Sequence, residues 1–592
     1  MKIIFSHTFS LPHITRPYRK KLLKVTALGF VNVLLDCLLL LLLFDFLKLL
    51  IHQNIDDLFI YKKLVAKIAS WRDISLAKML IFNALLLILI AAMRLCIYLY
   101  YEFKKSHLRG CALEDLQSIL LKLYLKAPWT YLVSKKSGEL LSEINTSAFK
   151  ASEILNYTAI ARSASGLIFI FSILLFIISP LLFFIGFVLS GFYFIVILLL
   201  GRRISYRSGK GRVKATRTQN VIAAEALSGM RYLRAYNFET NWMRRFNTTV
   251  REYVQLMVKD DFLINAPNKI LEFFVISILL SFTVVLTVFS GQNFVNQIPA
   301  LGAYFFGIFR LLPALSQWGS SNINIQAVLP YALSIEKKIQ ELHTGHEAQN
   351  SAHEMDVPKP PLMIQFDQVS FSYGENNLKI LENKTFLIQP NKINILYGES
   401  GCGKSTTLDL ILSFIQPTSG NIFINNNVPL SKIDKKIWRQ HIALVGQDVF
   451  LFHDTILNNL KLGNMTASFE QVEELSKYME IYAYIISLPE GWDTLVGDRG
   501  VKLSGGQRQR ISLVRALLRN PSIYLLDEAT SALDIETEKK VLKKFLDYTK
   551  GKTIVLVSHR PEILNLADHV IRFDIQNSNH YFERNNTLNS EL

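Results

Sequence analysis

Cysteine is scarce in this chain: four in 592 residues, Cys37, Cys96, Cys111 and Cys402, with no paired spacing. That argues against a disulfide framework and a structural zinc site. Two of the four fall in apolar runs and one lies inside a glycine-rich loop. Acidic residues are also short, 48 Asp and Glu against 65 Lys and Arg, a formal charge of +17. Such a surplus suits nucleic acid or the cytoplasmic flank of a membrane, and its position decides between them. Over long stretches charge is missing almost entirely. Half the residues are hydrophobic and the mean hydropathy is positive, which is too apolar for an ordinary soluble protein, while the length is too great for one core. No small-residue cleavage site follows the first apolar run, 25–51, which is too long for a secretory signal and reads as a spanning helix.

Six apolar segments, about 25–51, 76–103, 155–178, 181–200, 268–290 and 296–320, are each long enough to cross a bilayer core of ~30 Å. Only Ser179 and Pro180 separate the third from the fourth. About 8 Lys and Arg lie between segments two and three and about 13 between four and five, while the loops after three and five have essentially none. The positive-inside rule places the N-terminus and both long loops in the cytoplasm. Those loops carry helical periodicity, broken at Ala127-Pro128-Trp129-Thr130-Tyr131 and around Leu227 to Tyr236. Both breaks are expected to lie deep in the cytoplasm as coupling helices that touch a second domain. Charges inside spans need a reason. Asp36, Arg94, Lys269, Glu272 and Arg310 either line a cavity for an anionic head group or form structural pairs, and the sequence leaves both open. The expected organisation is a cytoplasmic N-terminal segment 1–24, a transmembrane domain 25–340, a linker 341–361 where periodicity stops and Pro358, Pro360 and Pro361 cluster, and a nucleotide-binding domain 362–592.

The second half is organised around Gly398-Glu399-Ser400-Gly401-Cys402-Gly403-Lys404-Ser405, between an apolar run that reads as a strand and a stretch from Thr406 that reads as a helix. Strand, glycine loop and helix together form a phosphate cradle. Glycines let backbone N–H groups turn in on the phosphates, the helix N-terminus adds partial positive charge, Lys404 supplies a full one, and the Ser405 hydroxyl can ligate Mg²⁺. Downstream, Leu444-Val445-Gly446-Gln447 ends a strand with a glutamine, and Ser504-Gly505-Gly506-Gln507 opens a helix. Ile523-Tyr524-Leu525-Leu526-Asp527-Glu528 ends a buried strand in two carboxylates, and Ile554-Val555-Leu556-Val557-Ser558-His559 ends one in a histidine.

With these motifs in hand, the chain resembles the ATP-binding cassette (ABC) exporters that fuse six spans to one nucleotide-binding domain. The likeness covers nearly the whole chain and is loosely similar to bacterial flippases for lipid-linked oligosaccharides. It implies an α-helical membrane domain of the type IV exporter kind plus an α/β phosphate-loop NTPase domain. It implies ATP and Mg²⁺ as ligands. Tyr373 stacks on adenine, Gly398 to Thr406 hold phosphates, and Ser405, Gln447 and Asp527 serve the metal, with Asp527 acting through water. Glu528 is the general base, and His559 contacts the γ-phosphate. Ser504 to Gln507 and Asp534 act across a subunit boundary, because that turn cannot reach its own chain's phosphate loop in the cassette fold. A homodimer is therefore expected, with a heterodimer as the alternative. Three positions depart from the family's habit: Gly446 before the loop glutamine, Asp498 where glutamate is commoner, and Cys402 within the phosphate loop.

The function these features imply is ATP-driven export or flipping of an amphipathic substrate, a lipid or lipid-linked saccharide, across the cytoplasmic membrane by alternating access. Peptide or multidrug export is the alternative, and a membrane ATPase with a regulatory role is a further one. The N-terminal stretch is too short for a leader-peptide protease domain, so peptide processing is not expected. Membrane lipids are the expected partners, and nucleic acid is not.

Overall fold

Apolar residues without interruption cannot sit in a loop, since each backbone polar group in lipid needs an internal partner, and only a helix provides one along a single segment. A computed structural model of the chain accordingly begins with long helices. It describes residues 11–52, 76–178, 184, 191, 201–290, 294–350, 355–373, 378–497, 500–530, 534–573 and 581–583. The chain forms two compact units, the first made of 1–127 and 131–346, the second of 128–130 and 347–592.

In the first unit, helix α1 is Arg19–His52, α2 Leu76–Lys126, α3 Trp129–Val133, α4 Ser137–Ser142, α5 Ala148–Ile178, α6 Arg202–Ser228, α7 Met230–Ala235, α8 Glu239–Ser290 and α9 Phe294–Asn350. Three of the described helical stretches, Arg19–Leu47, Ala77–Lys126 and Ser137–Leu174, are long and apolar enough to cross a membrane. Segments 268–290 and 296–320 lie within α8 and α9. Segment 181–200 and its Ser179-Pro180 junction fall outside the described residues, Phe184 and Gly191 excepted. The two breaks expected near Trp129 and Gly229 are occupied by the short helices α3 and α7. Helix α9 continues to Asn350, so the first part of the stretch read as linker is helical. Its Glu, Lys and Gln residues favour a helix without supplying an apolar stripe.

Among the described residues of this unit, two buried acids are paired across helices. Arg94 on α2 meets Asp36 on α1 at 2.6 Å, with the Asp36 side chain only 2% exposed. Arg212 on α6, partly exposed, meets the buried Asp260 on α8 at 2.7 Å. Lys269 and Glu272 pair with each other at 2.9 Å along one exposed helix face. Of the five span charges, these geometries give Asp36, Arg94, Lys269 and Glu272 ion-pair partners within the unit. Arg310's side chain is outside the description. Gly209 brings α6 against α9: a Cβ there would stand 2.3 Å from the Ala327 carbonyl oxygen.

The second unit holds two sheets. Strands β1 (Ile364–Tyr373), β2 (Leu378–Ile388), β4 (Ser419–Ile424) and β5 (Val428–Pro429) form an antiparallel sheet in the order β2-β1-β4-β5. Strands β3 (Ile393–Gly398), β6 (Ile442–Val445), β7 (Ile523–Asp527), β8 (Thr553–Ser558), β9 (His569–Phe573) and β10 (Tyr581–Glu583) form the other, in the order β10-β9-β3-β8-β7-β6. All its pairings are parallel except β10 with β9. Strands β3, β7 and β8 are mostly apolar because both faces are covered by buried clusters around Ile395, Leu526 and Leu556 on one side and Leu396, Leu525 and Val557 on the other. The helices that matter below are α10 (Lys404–Ile411), α11 (Gly505–Arg519) and α12 (Ile535–Tyr548). Trp129, the first residue of α3, belongs to this unit rather than to the first; its ring stacks on Phe414 at 5.4 Å, with the Arg439 guanidinium over Phe414 at 4.9 Å.

Candidate functional site

In an open parallel sheet, ligands bind in the crevice beyond the carboxyl ends of the strands. Register fixes what stands there. Tyr397 pairs with Ser558, Asp527 with Val557, and Val445 with Leu526. Gly398, which ends β3, and His559, Glu528 and Gln447, which stand one or two residues past β8, β7 and β6, therefore emerge along one edge.

The phosphate loop leaves β3 and enters α10. Gly403 caps α10 at φ +96°, a left-handed conformation, and a Cβ there would lie 2.7 Å from Leu381. Both facts require glycine. Lys404, 6% exposed, donates from Nζ to the carbonyl oxygens of Gly398 at 2.7 Å and Glu399 at 2.6 Å. Its ammonium is thereby pinned to the inner rim of the loop, with Cys402 Sγ 3.6 Å away. Ser405 sits in the first turn and donates its hydroxyl to Asp527, whose carboxyl is pushed above the usual range, chiefly by burial. Thr406, in the same turn, bonds the Tyr373 hydroxyl, and burial raises that phenol. Tyr373 itself ends β1, 38% exposed and edge-on to Phe371, beside the loop rather than in the core.

Glu528 is the best-anchored carboxylate of the group. His559 Nδ1 stands 2.7 Å from its Oε1, and Gln447 Nε2 donates to its Oε2 at 2.9 Å. A carboxylate only accepts, so His559 carries its proton on Nδ1. The Glu528 backbone has φ +46° and its N–H reaches the Val557 carbonyl at 3.3 Å. A non-glycine residue held there stores about 1–3 kcal/mol, and such strain concentrates at functional positions.

The remaining expected site residues lie elsewhere. Ser504 caps α11 in a reciprocal box: its Oγ accepts from the Gln507 N–H at 3.2 Å, and its own N–H donates to Gln507 Oε1 at 2.7 Å. Gly505 and Gly506 form the first turn. Among the described residues neither Ser504 nor Gln507 bonds to the phosphate loop. Asp534 caps α12 by accepting from Thr537 N–H at 3.0 Å, which draws its carboxyl below the usual range. Asp498 lies outside the described residues.

One residue escaped the sequence reading. Asp409, five positions after Lys404 on α10, is pushed up to about 6, first by burial and then by the charge of Asp527. The signal was an acid in the helix that leaves a phosphate loop, one and a half turns in. Its folded-state affinity for the proton exceeds the unfolded one, so this carboxyl favours folding below about pH 4 and loses that advantage as pH rises through about 6. Asp409→Asn is expected to melt higher than the parent at pH 7.5, by about 1 kcal/mol once its partial exposure is discounted. The gap should close as pH falls toward 4. A constant difference across nucleotide-free melts from pH 4 to 7.5 would contradict this.

Comparison with known proteins agrees with this geometry. Residues 24–312 match the model of the ABC transporter transmembrane region, and 381–531 match that of the ABC transporter domain. The heterocyst differentiation ATP-binding protein HepA of Nostoc is 28% identical over 77% of this chain and 72% of its own length. The ATP-dependent lipid A-core flippase of Alkalilimnicola ehrlichii is 28% identical over 78% of this chain and 77% of its own. Other relatives, at 32 and 33% identity, are spanned for about 62% of their length. A solved bacterial Atm1-family ABC exporter with ATP bound shares the fold, with a TM-score of 0.74, 21% identity, and 95% of this chain and 94% of that one covered.

Proposed function

Because the chain belongs to the ABC transporter family, with a transmembrane region and a cassette in one polypeptide, we propose that it works as a dimeric ATP-driven exporter or flippase for an amphipathic lipid or lipid-linked saccharide. The observation that carries the ATPase half is Glu528, held between His559 at 2.7 Å and Gln447 at 2.9 Å at the edge of the sheet where the phosphate loop ends. Placed there, Glu528 takes a proton from a water attacking the γ-phosphate, His559 orients that carboxylate, and Lys404 with the loop amides holds the phosphates.

Mg²⁺ suits the donors at hand. The Ser405 hydroxyl, the Gln447 amide oxygen turned away from Glu528, and the half-buried Asp527 carboxylate are hard oxygen groups. The ion would neutralise phosphate charge. Ser504 to Gln507, which among the described residues make no bond to their own chain's loop, are offered to a second copy's nucleotide, and Asp534 lies on that boundary too. Both halves of the composite site are intact in one chain, which favours a homodimer. The basic loops support a cytoplasmic side for the N-terminus and cassette, at the cell's inner or plasma membrane. ATP-dependent pairing of cassettes shifts the membrane helices between inward- and outward-facing forms, with α3 and α7 as the points of transmission.

The cargo class rests on the apolar spans and on the flippase relative's named substrate. In proteoliposomes, a fluorescent lipid-linked saccharide should change leaflet only with ATP, and the same lipid should raise ATPase turnover severalfold. Stimulation by peptides or drugs alone would move the assignment to those cargoes, and ATPase without flux of any cargo would leave a regulatory ATPase.

A further inference from the structure

Behind the Glu528–His559 pair lies a second carboxylate that the hydrolysis chemistry does not call on. Glu538, on α12, is 6% exposed. A carboxylate so far from water must be paired and hydrogen-bonded. Thr530 Oγ1 donates to its Oε1 at 2.8 Å, and the Arg560 guanidinium pairs with its Oε2. Thr530 stands two residues after Glu528, and Arg560 follows His559 directly. One side chain thus ties together the two segments that leave β7 and β8, the same two that present the base and the histidine. A cavity of about 20 Å³, room for about one water, is lined by Glu528, Thr530, Glu538, His559 and Arg560 among others. The catalytic pair and the tie therefore face the same small space.

A purely stabilising role explains this poorly, since a buried ion pair rarely stabilises more than an apolar substitute would. Its placement fits a different demand. Glu528 is held at φ +46°, and such a conformation lasts only where neighbours over-determine it. We propose that Glu538 is a positioning residue that fixes the distance between Glu528 and His559, acting through Thr530 and Arg560. The inference rests on Glu528 being the base for ATP hydrolysis.

The test uses the full-length protein in nanodiscs. Glu538→Gln keeps the shape and can still accept from Thr530, but it no longer balances Arg560. Its kcat is expected to fall at least about tenfold, since small displacements of catalytic groups cost that much. KM for ATP and the Kd of a fluorescent ATP analogue should stay within about threefold, because the phosphate loop is untouched. Combined with Glu528→Gln, it should slow turnover no further than Glu528→Gln alone. If Glu538→Gln does not fold, Thr530→Val removes the other leg of the tie and should show the same split of kcat from KM. Wild-type kcat in the folded variant, or a loss of kcat matched by an equal loss of ATP binding, overturns the proposal. Normal turnover in Glu528→Gln would instead remove the base on which it rests, and the two failures are read from separate variants.

Discussion

Glu528→Gln should leave ATP binding intact and lower turnover by about a thousandfold, the scale set by losing a general base. That corresponds to about 4 kcal/mol of barrier. The amide matches the carboxylate in size and its oxygen can still accept from His559 Nδ1, so the site keeps its shape while losing the group that accepts the proton. With hydrolysis stopped, the ATP-bound, paired form should accumulate, visible as a nucleotide-dependent cross-link between cassettes. His559→Ala should also cost rate, because Nδ1 no longer holds Oε1 of Glu528. The two changes together should cost little more than the larger one, as they disable one unit. Turnover near the parent's in Glu528→Gln would show that the proton goes elsewhere.

Arg94→Ala should be the most damaging single change within the membrane region. Asp36 is 2% exposed and meets Arg94 at 2.6 Å, and stripping the partner from a buried charge costs about 3–5 kcal/mol. In detergent this should lower the melting temperature by more than about 5 °C. The companion change Asp36→Leu in the Arg94→Leu background should restore most of it, because removing both charges leaves nothing uncompensated. The rival role for Arg94 is contact with an anionic cargo head group. It predicts the opposite pattern: unchanged melting and a selective loss of cargo-stimulated ATPase.

The parts of the fold legible in the sequence are those where one local rule suffices. The phosphate loop, the strand ends at Gln447, Asp527 and Ser558, and the Ser504 turn each carry their own chemistry over fewer than ten neighbouring residues. The apolar segments of the first unit follow from hydropathy alone. What the sequence hid depends on residues far apart in the chain. Asp36 faces Arg94 only because α1 and α2 pack together, and no spacing rule links them. Asp409 is unremarkable as a helical acid until Asp527 is brought against it. Glu538 looks like one more surface charge beside Glu536, and only the fold buries it with Thr530 and Arg560. The β1 strand shows a smaller case. Two short runs around Phe366 and Phe371 merge into one strand because bulges between Phe366 and Val369, and between Val369 and Phe371, absorb the change of face.

Helix α2 contains no proline across its 51 residues. At 1.5 Å per residue it is a rod about 76 Å long, more than twice the thickness of a bilayer's oily interior. Such a shaft behaves as a lever pivoting in the lipid: a tilt of about 5° would swing one tip about 6–7 Å relative to the other. A small change of tilt at one end of this shaft is thus amplified into a displacement of several ångströms at the other, and its stiffness sets the gain.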